Sequence, residues 1–236
     1  MEFLRSRTEF TADQIADLLR EAMPLLPSVD MKVARYLCDE CLAMDSETLL
    51  RFLDALARVS HPSRISGTLV PLLTHSDLRV RSKAARLMNP GDDDKAWHDA
   101  EGDPRVLANL IEALWHIETP HRRMRFWKAV DSPSPRVAGN ALVGLYLIGD
   151  DQAKSLILRM SEHPAIDFRR TAVWAMGETG DADFLTCLMK LLNQETGSVR
   201  VNVLRSLTRI RKRLALNPEA AARVPAGYAD NSRCRA

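Results

Sequence analysis

Residues 132–151 read SPSPRVAGNALVGLYLIGDD. Pro135 marks a helix start, because the first helical turn leaves its N–H groups unpaired and proline's fixed φ suits that position. The apolar residues that follow are Val137, Ala141, Leu142 and Leu145. Steps of four, one and three place them on one helical face. Gly149, just past Ile148, suits a helix C-terminus. The stretch predicts a helix that opens on Pro-Arg-Val and closes on Ile-Gly-Asp.

The phrase recurs. DPRVLANLIEAL from Asp103, SPRVAGNALVGL from Ser134, AIDFRRTAVWAM from Ala165 and TGSVRVNVLRSL from Thr196 align without gaps, each 31 residues after the last. An earlier copy, DLRVRSKAARLM, starts at Asp77, and a weaker one, DSETLLRFLDAL, at Asp45. Val106, Val137, Phe168 and Val199 share one apolar column. Leu110, Ala141, Ala172 and Val203 share the next, followed by the column of Ile111, Leu142, Val173 and Leu204 and that of Leu114, Leu145, Met176 and Leu207. Asp, Ser or Thr at a segment start can cap a helix.

A second set fills the intervals. TPHRRMRFWKAV, DDQAKSLILRMS and DADFLTCLMKLL also lie 31 apart, with Phe126, Ile157 and Leu188 in one column and Ala129, Met160 and Leu191 in another. Each unit is therefore a helix pair. Such a short pair cannot bury its own apolar face, so neighbours must stack on it. The predicted fold class is all-α, an α-solenoid of stacked two-helix repeats.

These phrases resemble the HEAT-repeat superfamily, and in particular short bacterial HEAT-like repeats such as those of pigment-lyase-type HEAT-like proteins. The resemblance rests on DLRVRSKAARLM, DPRVLANLIEALWHI, SPRVAGNALVGLYLIGD and SVRVNVLRSLTRI, across residues 60–213. It implies a scaffold or protein-interaction role, with the second helix of each pair lining the concave face. Residues 1–59 fit loosely and are expected to form an N-terminal helical cap with degenerate repeats. Residues 214–236 lose periodicity and are expected to be a flexible C-terminal tail. The segment NPGDDDKAWHDAEG at 89–102 leaves room only for a very short first helix.

Composition narrows the classes. In 236 residues the net charge is +2, too small to argue for a partner. There is no run of eighteen apolar residues and no signal-peptide stretch at the start, so a cytoplasmic location with no membrane span is expected. Charge is uneven, with net +6 from Glu195 onward and −4 before it. The segment RSLTRIRKR brings Arg205, Arg209 and Lys212 near one face, with Arg213 beside it.

Catalytic motifs are missing. His61, His75, His98, His116, His121 and His163 are scattered, with no H-E-x-x-H, and there is no G-x-S-x-G, P-loop or G-x-G-x-x-G. Cys38 and Cys41 sit mid-helix without a second ligand pair, and read as half-buried core thiols. Cys187 aligns with the packing position Leu156, and Cys234 is read as a tail thiol. Neither a catalytic residue nor a cofactor or metal site is expected.

The candidate binding residues lie beside the apolar face of the second helices. Asn109, Asn140 and Asn202 share a register. Arg79, Arg105 and Arg136 lie one turn earlier, and Val143, Trp174 and Arg205 one turn later. Two readings of the Asn column stand. It is a polar ladder for a partner's backbone, or it ties each helix to its neighbour. Trp174 and Val143 are candidate anchors. For Trp97, Trp115 and Trp127 packing is the expectation. The expected function is a non-enzymatic protein–protein interaction scaffold. The alternative is nucleic-acid binding through the basic C-terminal helix.

Overall fold

The computed structural model describes residues 45–58, 69–88, 97 and 102–216. Residues 1–44 of the expected N-terminal cap, with Cys38 and Cys41, nearly all of 89–101 and the tail with Cys234 lie outside the described residues. The divisions at 59/60 and 213/214 therefore stay a proposal. The chain separates into two compact units, one up to Arg122 and one from Arg123. Among the described residues every regular element is helical.

The first unit contains α1 (Ser46–Arg58), a 3-10 turn (Val70–Thr74), α2 (Leu78–Leu87), α3 (Pro104–Ala113) and a second 3-10 turn (Leu114–His116). Asp45 opens α1 by accepting from the Glu47 and Thr48 N–H groups. Asp77 and Asp103 do the same for α2 and α3, accepting from Arg79 N–H at 2.8 Å and Arg105 N–H at 3.0 Å. Each such cap is worth about 1 kcal/mol. Val80, Ala84, Val106, Leu110, Ile111 and Leu114 are wholly buried, so the predicted apolar columns are the core of this unit.

The second unit alternates first and second helices. The first helices are α4 (Arg122–Val130), α6 (Ala153–Ser161) and α8 (Leu185–Gln194), the last entered through a 3-10 turn (Ala182–Phe184). The second helices are α5 (Pro135–Leu147), α7 (Ile166–Thr179) and α9 (Gly197–Leu216). Phe126, Ile157 and Leu188 are fully buried from one side, and Ala141, Leu145, Ala172, Met176 and Val203 from the other. α5 passes very close to the Phe126 ring. A Cβ on Gly144 would stand 2.6 Å from it. Gly149 and Gly180 end α5 and α7 at φ 73° and 70°, the left-handed region where a Cβ is strained.

The structure departs from three sequence expectations here. Ser134 makes no side-chain cap; Ser132 Oγ accepts the Ser134 N–H instead, at 3.2 Å. Phe168 is only half buried and packs on the His163 ring, with centroids 4.2 Å apart. Leu204 is 50% exposed, whereas Leu142 and Val173 in the same column are covered. The covering helix for Leu142 and Val173 is the next second helix, and no described helix follows α9.

Candidate partner-binding face

In the first unit, Arg79 and Arg105 are exposed on α2 and α3. The Arg79 guanidinium folds back on Asp77, Nη2 to Oδ2 2.8 Å. This bond, with the Arg79 N–H, takes the Asp77 carboxyl down to about 2. Asn109 is different. It is 1% exposed, and its Nδ2 donates to Ser82 O and Ser82 Oγ, both at 2.7 Å. It ties α3 to α2.

In the second unit, Arg136 on α5 and Arg205 on α9 are exposed, Trp174 on α7 and Asn202 on α9 are half buried, and Asn140 is 1% exposed. Val143 is also 1% exposed. Of the two expected anchors only Trp174 has surface to offer. Its ring borders the α5–α7 seam, where a Cβ on Gly139 would lie 3.7 Å from it. Glycine lets the helices approach there. The α7–α9 seam is built similarly: Ser206 Oγ donates to Val173 O at 2.8 Å, over Gly177. Leu147, at 43% exposure, adds apolar surface at the end of α5.

Sequence reasoning missed the groups that hold the loops. Arg81 and Arg169 occupy one repeat position. Arg81 Nη1 donates to His75 O and Ser76 O, and its Nη2 reaches Asp103 Oδ2 at 2.9 Å. Arg169 Nη1 donates to His163 O and Pro164 O, and its Nε reaches Glu195 Oε1 at 2.7 Å. Arg200, in the same position, donates to Leu192 O. His75 and His163 also match. Each Nδ1 accepts a backbone N–H two residues on, from Asp77 and Ala165. These histidines are not scattered, then; both brace the loop before a second helix. Their fixed distance from the helix start was the available signal.

Asp150 and Asp181, 31 residues apart, brace the turns between repeats. Asp150 accepts from the Gln152 N–H, Arg123 Nη2 at 2.7 Å and Trp127 Nε1 at 3.2 Å. Asp181 accepts from Asp183 N–H and from Tyr146 Oη at 2.9 Å, and pairs with Lys154 at 2.6 Å. Burial pushes both carboxyls up, but the donated hydrogen bonds outweigh it and hold them below the ordinary value. Tyr146 rises to about 12, first through burial and then through Asp181. Satisfied turn networks explain these shifts, so they carry no sign of an acid–base pair. Among the described residues no group of three or more His, Cys, Asp or Glu could hold a metal ion. No described helix is long and apolar enough to cross a membrane.

Residues 125–208 and 153–231 match the family model described as HEAT repeats. No curated protein matches the chain. Among solved structures it is similar to an engineered protein, at 17% identity, covering 89% of this chain and 96% of that one with a TM-score of 0.34. It is also similar to a designed armadillo repeat protein in complex with the peptide (KR)4, at 19% identity, covering 88% and 91% with a TM-score of 0.33.

Proposed function

Starting from the HEAT-repeat match over residues 125–208 and 153–231, we propose that the chain is a HEAT-repeat protein and a non-enzymatic protein–protein interaction scaffold. The partner binds the concave face formed by the second helices. The observation that carries this is a division of labour repeated within each unit. In the first, Asn109 is inside while Arg79 and Arg105 keep surface; in the second, Asn140 is inside while Arg136, Trp174 and Arg205 keep surface. Arg and Trp are the residue types that dominate interface energetics. Asn202, half buried, is intermediate in the second unit. A surface set on packed helices loses little freedom on binding, which favours an extended segment or a helix as the bound element. Asn109 supports the face indirectly, by fixing α3 against α2.

The test is affinity capture from nuclease-treated native lysate with the full chain. Wild type is compared with Arg105→Glu/Arg136→Glu and with Trp174→Ala, each shown folded by circular dichroism. A protein retained by wild type and lost from the variants supports the reading. Identical captures refute it. Nucleic-acid binding is the second reading, favoured by the net charge of +6 from Glu195 onward. It predicts binding that collapses between low and moderate salt.

A further inference from the structure

We propose that the outer face of α9 is a docking surface for an acidic amphipathic helix of a partner protein. This goes beyond the scaffold reading and does not depend on it. The register of the repeat identifies the face. Gly139 on α5 points at Thr171 of α7, and Gly177 and Val173 on α7 meet Ser206 of α9. These positions, together with Leu142, are where one second helix receives the next. The same positions on α9 are Val201, Leu204 and Thr208.

Nothing among the described residues covers them. Val201 is 47% and Leu204 50% exposed, against 2% for Leu142 and 0% for Val173. The face is built to pack a helix, and among the described residues none packs on it. Beside Leu204 lies a shallow depression of about 350 Å³, lined by Leu204, Arg205, Thr208 and Arg209, large enough for an aliphatic side chain.

Charge chooses the occupant. α9 contains no acidic residue. Arg205, Arg211 and Lys212 are exposed beside the apolar strip and have no carboxylate partner among the described residues, while Arg209 is held by Glu178 at 2.6 Å. A partner needs apolar side chains for Val201 and Leu204 and carboxylates for the flanking cations. The chain's own residues 217–236 do not supply this, since Arg223, Arg233 and Arg235 outnumber Glu219 and Asp230. A second copy presenting this same face would set cation against cation. Nucleic acid would leave Val201 and Leu204 without an apolar contact in the middle of the strip. From Val201 to Lys212 the strip runs about 17 Å, or three helical turns.

The test uses the full chain and a fluorescein-labelled helical peptide of about four turns, with leucines at i, i+3, i+4 and i+7 and glutamates beside them. A copy with every Glu replaced by Lys and a duplex DNA serve as controls. Anisotropy titrations compare wild type, Leu204→Lys and Lys212→Glu, all at exposed positions that leave the melting temperature in place. The expected result is binding of the Glu peptide alone, weakened at least about tenfold by either substitution. Leu204→Lys is the decisive variant, because it adds positive charge while removing the apolar contact. The proposal is overturned if the Glu peptide does not bind wild type. It is equally overturned if Leu204→Lys binds that peptide as well as or better than wild type, or if duplex DNA outcompetes the peptide. Self-association of the wild-type chain that Leu204→Lys abolishes would also overturn it, by assigning the face to a second copy.

Discussion

Replacing Asn109 by Ala separates a structural amide from a binding one. Asn109 is 1% exposed, and its NH2 group makes two hydrogen bonds to Ser82, both 2.7 Å. Each is worth about 1 kcal/mol net. The lost side-chain volume adds a small cavity term. The half-buried Ser82 can recover part of its hydrogen bonding from water. The sum is a destabilisation of about 2–3 kcal/mol, which at roughly 2–4 °C per kcal/mol lowers Tm by about 4–12 °C. Asn109→Asp keeps the shape but places an acceptor-only carboxylate against the Ser82 carbonyl. It should destabilise more than Asn109→Ala at neutral pH and recover partly in acid as the carboxylate is protonated. Thermal and urea melts followed by circular dichroism measure both. If Asn109→Ala stays within about 0.5 kcal/mol of wild type while partner capture is lost, Asn109 is a contact residue and the structural account of it is wrong.

Other outcomes follow from the turn and loop networks. Asp150 and Asp181 have folded pKa values below their ordinary 3.8. Their stabilisation is therefore present above about pH 4 and disappears as pH falls through the depressed values; acid melts of Asp150→Asn should show a shallower loss than wild type. Tyr146, raised to about 12, works the other way: its contribution is intact below pH 10 and declines as pH rises toward 12, which an alkaline melt of Tyr146→Phe should lack. Gly144→Ala sets a methyl 2.6 Å from the Phe126 ring. Overpacking of about 1–3 kcal/mol should exceed the helix-propensity gain of about 1 kcal/mol, so Tm falls. Arg169→Ala removes bonds to His163 O, Pro164 O and Glu195; a loss of about 2–3 kcal/mol is expected, and Arg169→Lys should rescue little because an ammonium cannot reproduce the fork.

The helix pairs were legible because burial imposes periodicity. Phe126, Ile157 and Leu188 recur at the repeat spacing because each fills the same interior position. Leu204 shows where the pattern stops informing. It has the sequence of a covered position, but coverage depends on the next helix, which a column cannot report. The Asn column behaves similarly. Sequence placed Asn109 beside the apolar face, yet only coordinates show its amide directed at Ser82. Caps were legible when a side chain bonds its own helix, as Asp77 and Asp103 do. They were missed when the acceptor lies two residues before the N-cap, as with Ser132 and His163. Arg81 and Arg169 escaped because two of the three groups each one bonds are backbone carbonyls, which have no residue identity to read, and the third is a carboxylate 22 or 26 residues away.

The most direct test of the scaffold account is hydroxyl-radical footprinting of the full chain with and without its captured partner. Trp174 and Leu147 lie on second helices, whereas Met124 and Leu158, 58% and 39% exposed, lie on first helices. The account predicts that the partner slows oxidation of Trp174 and Leu147 and leaves Met124 and Leu158 unchanged. Protection of Met124 and Leu158 with Trp174 still reactive would place the partner on the first helices and contradict it.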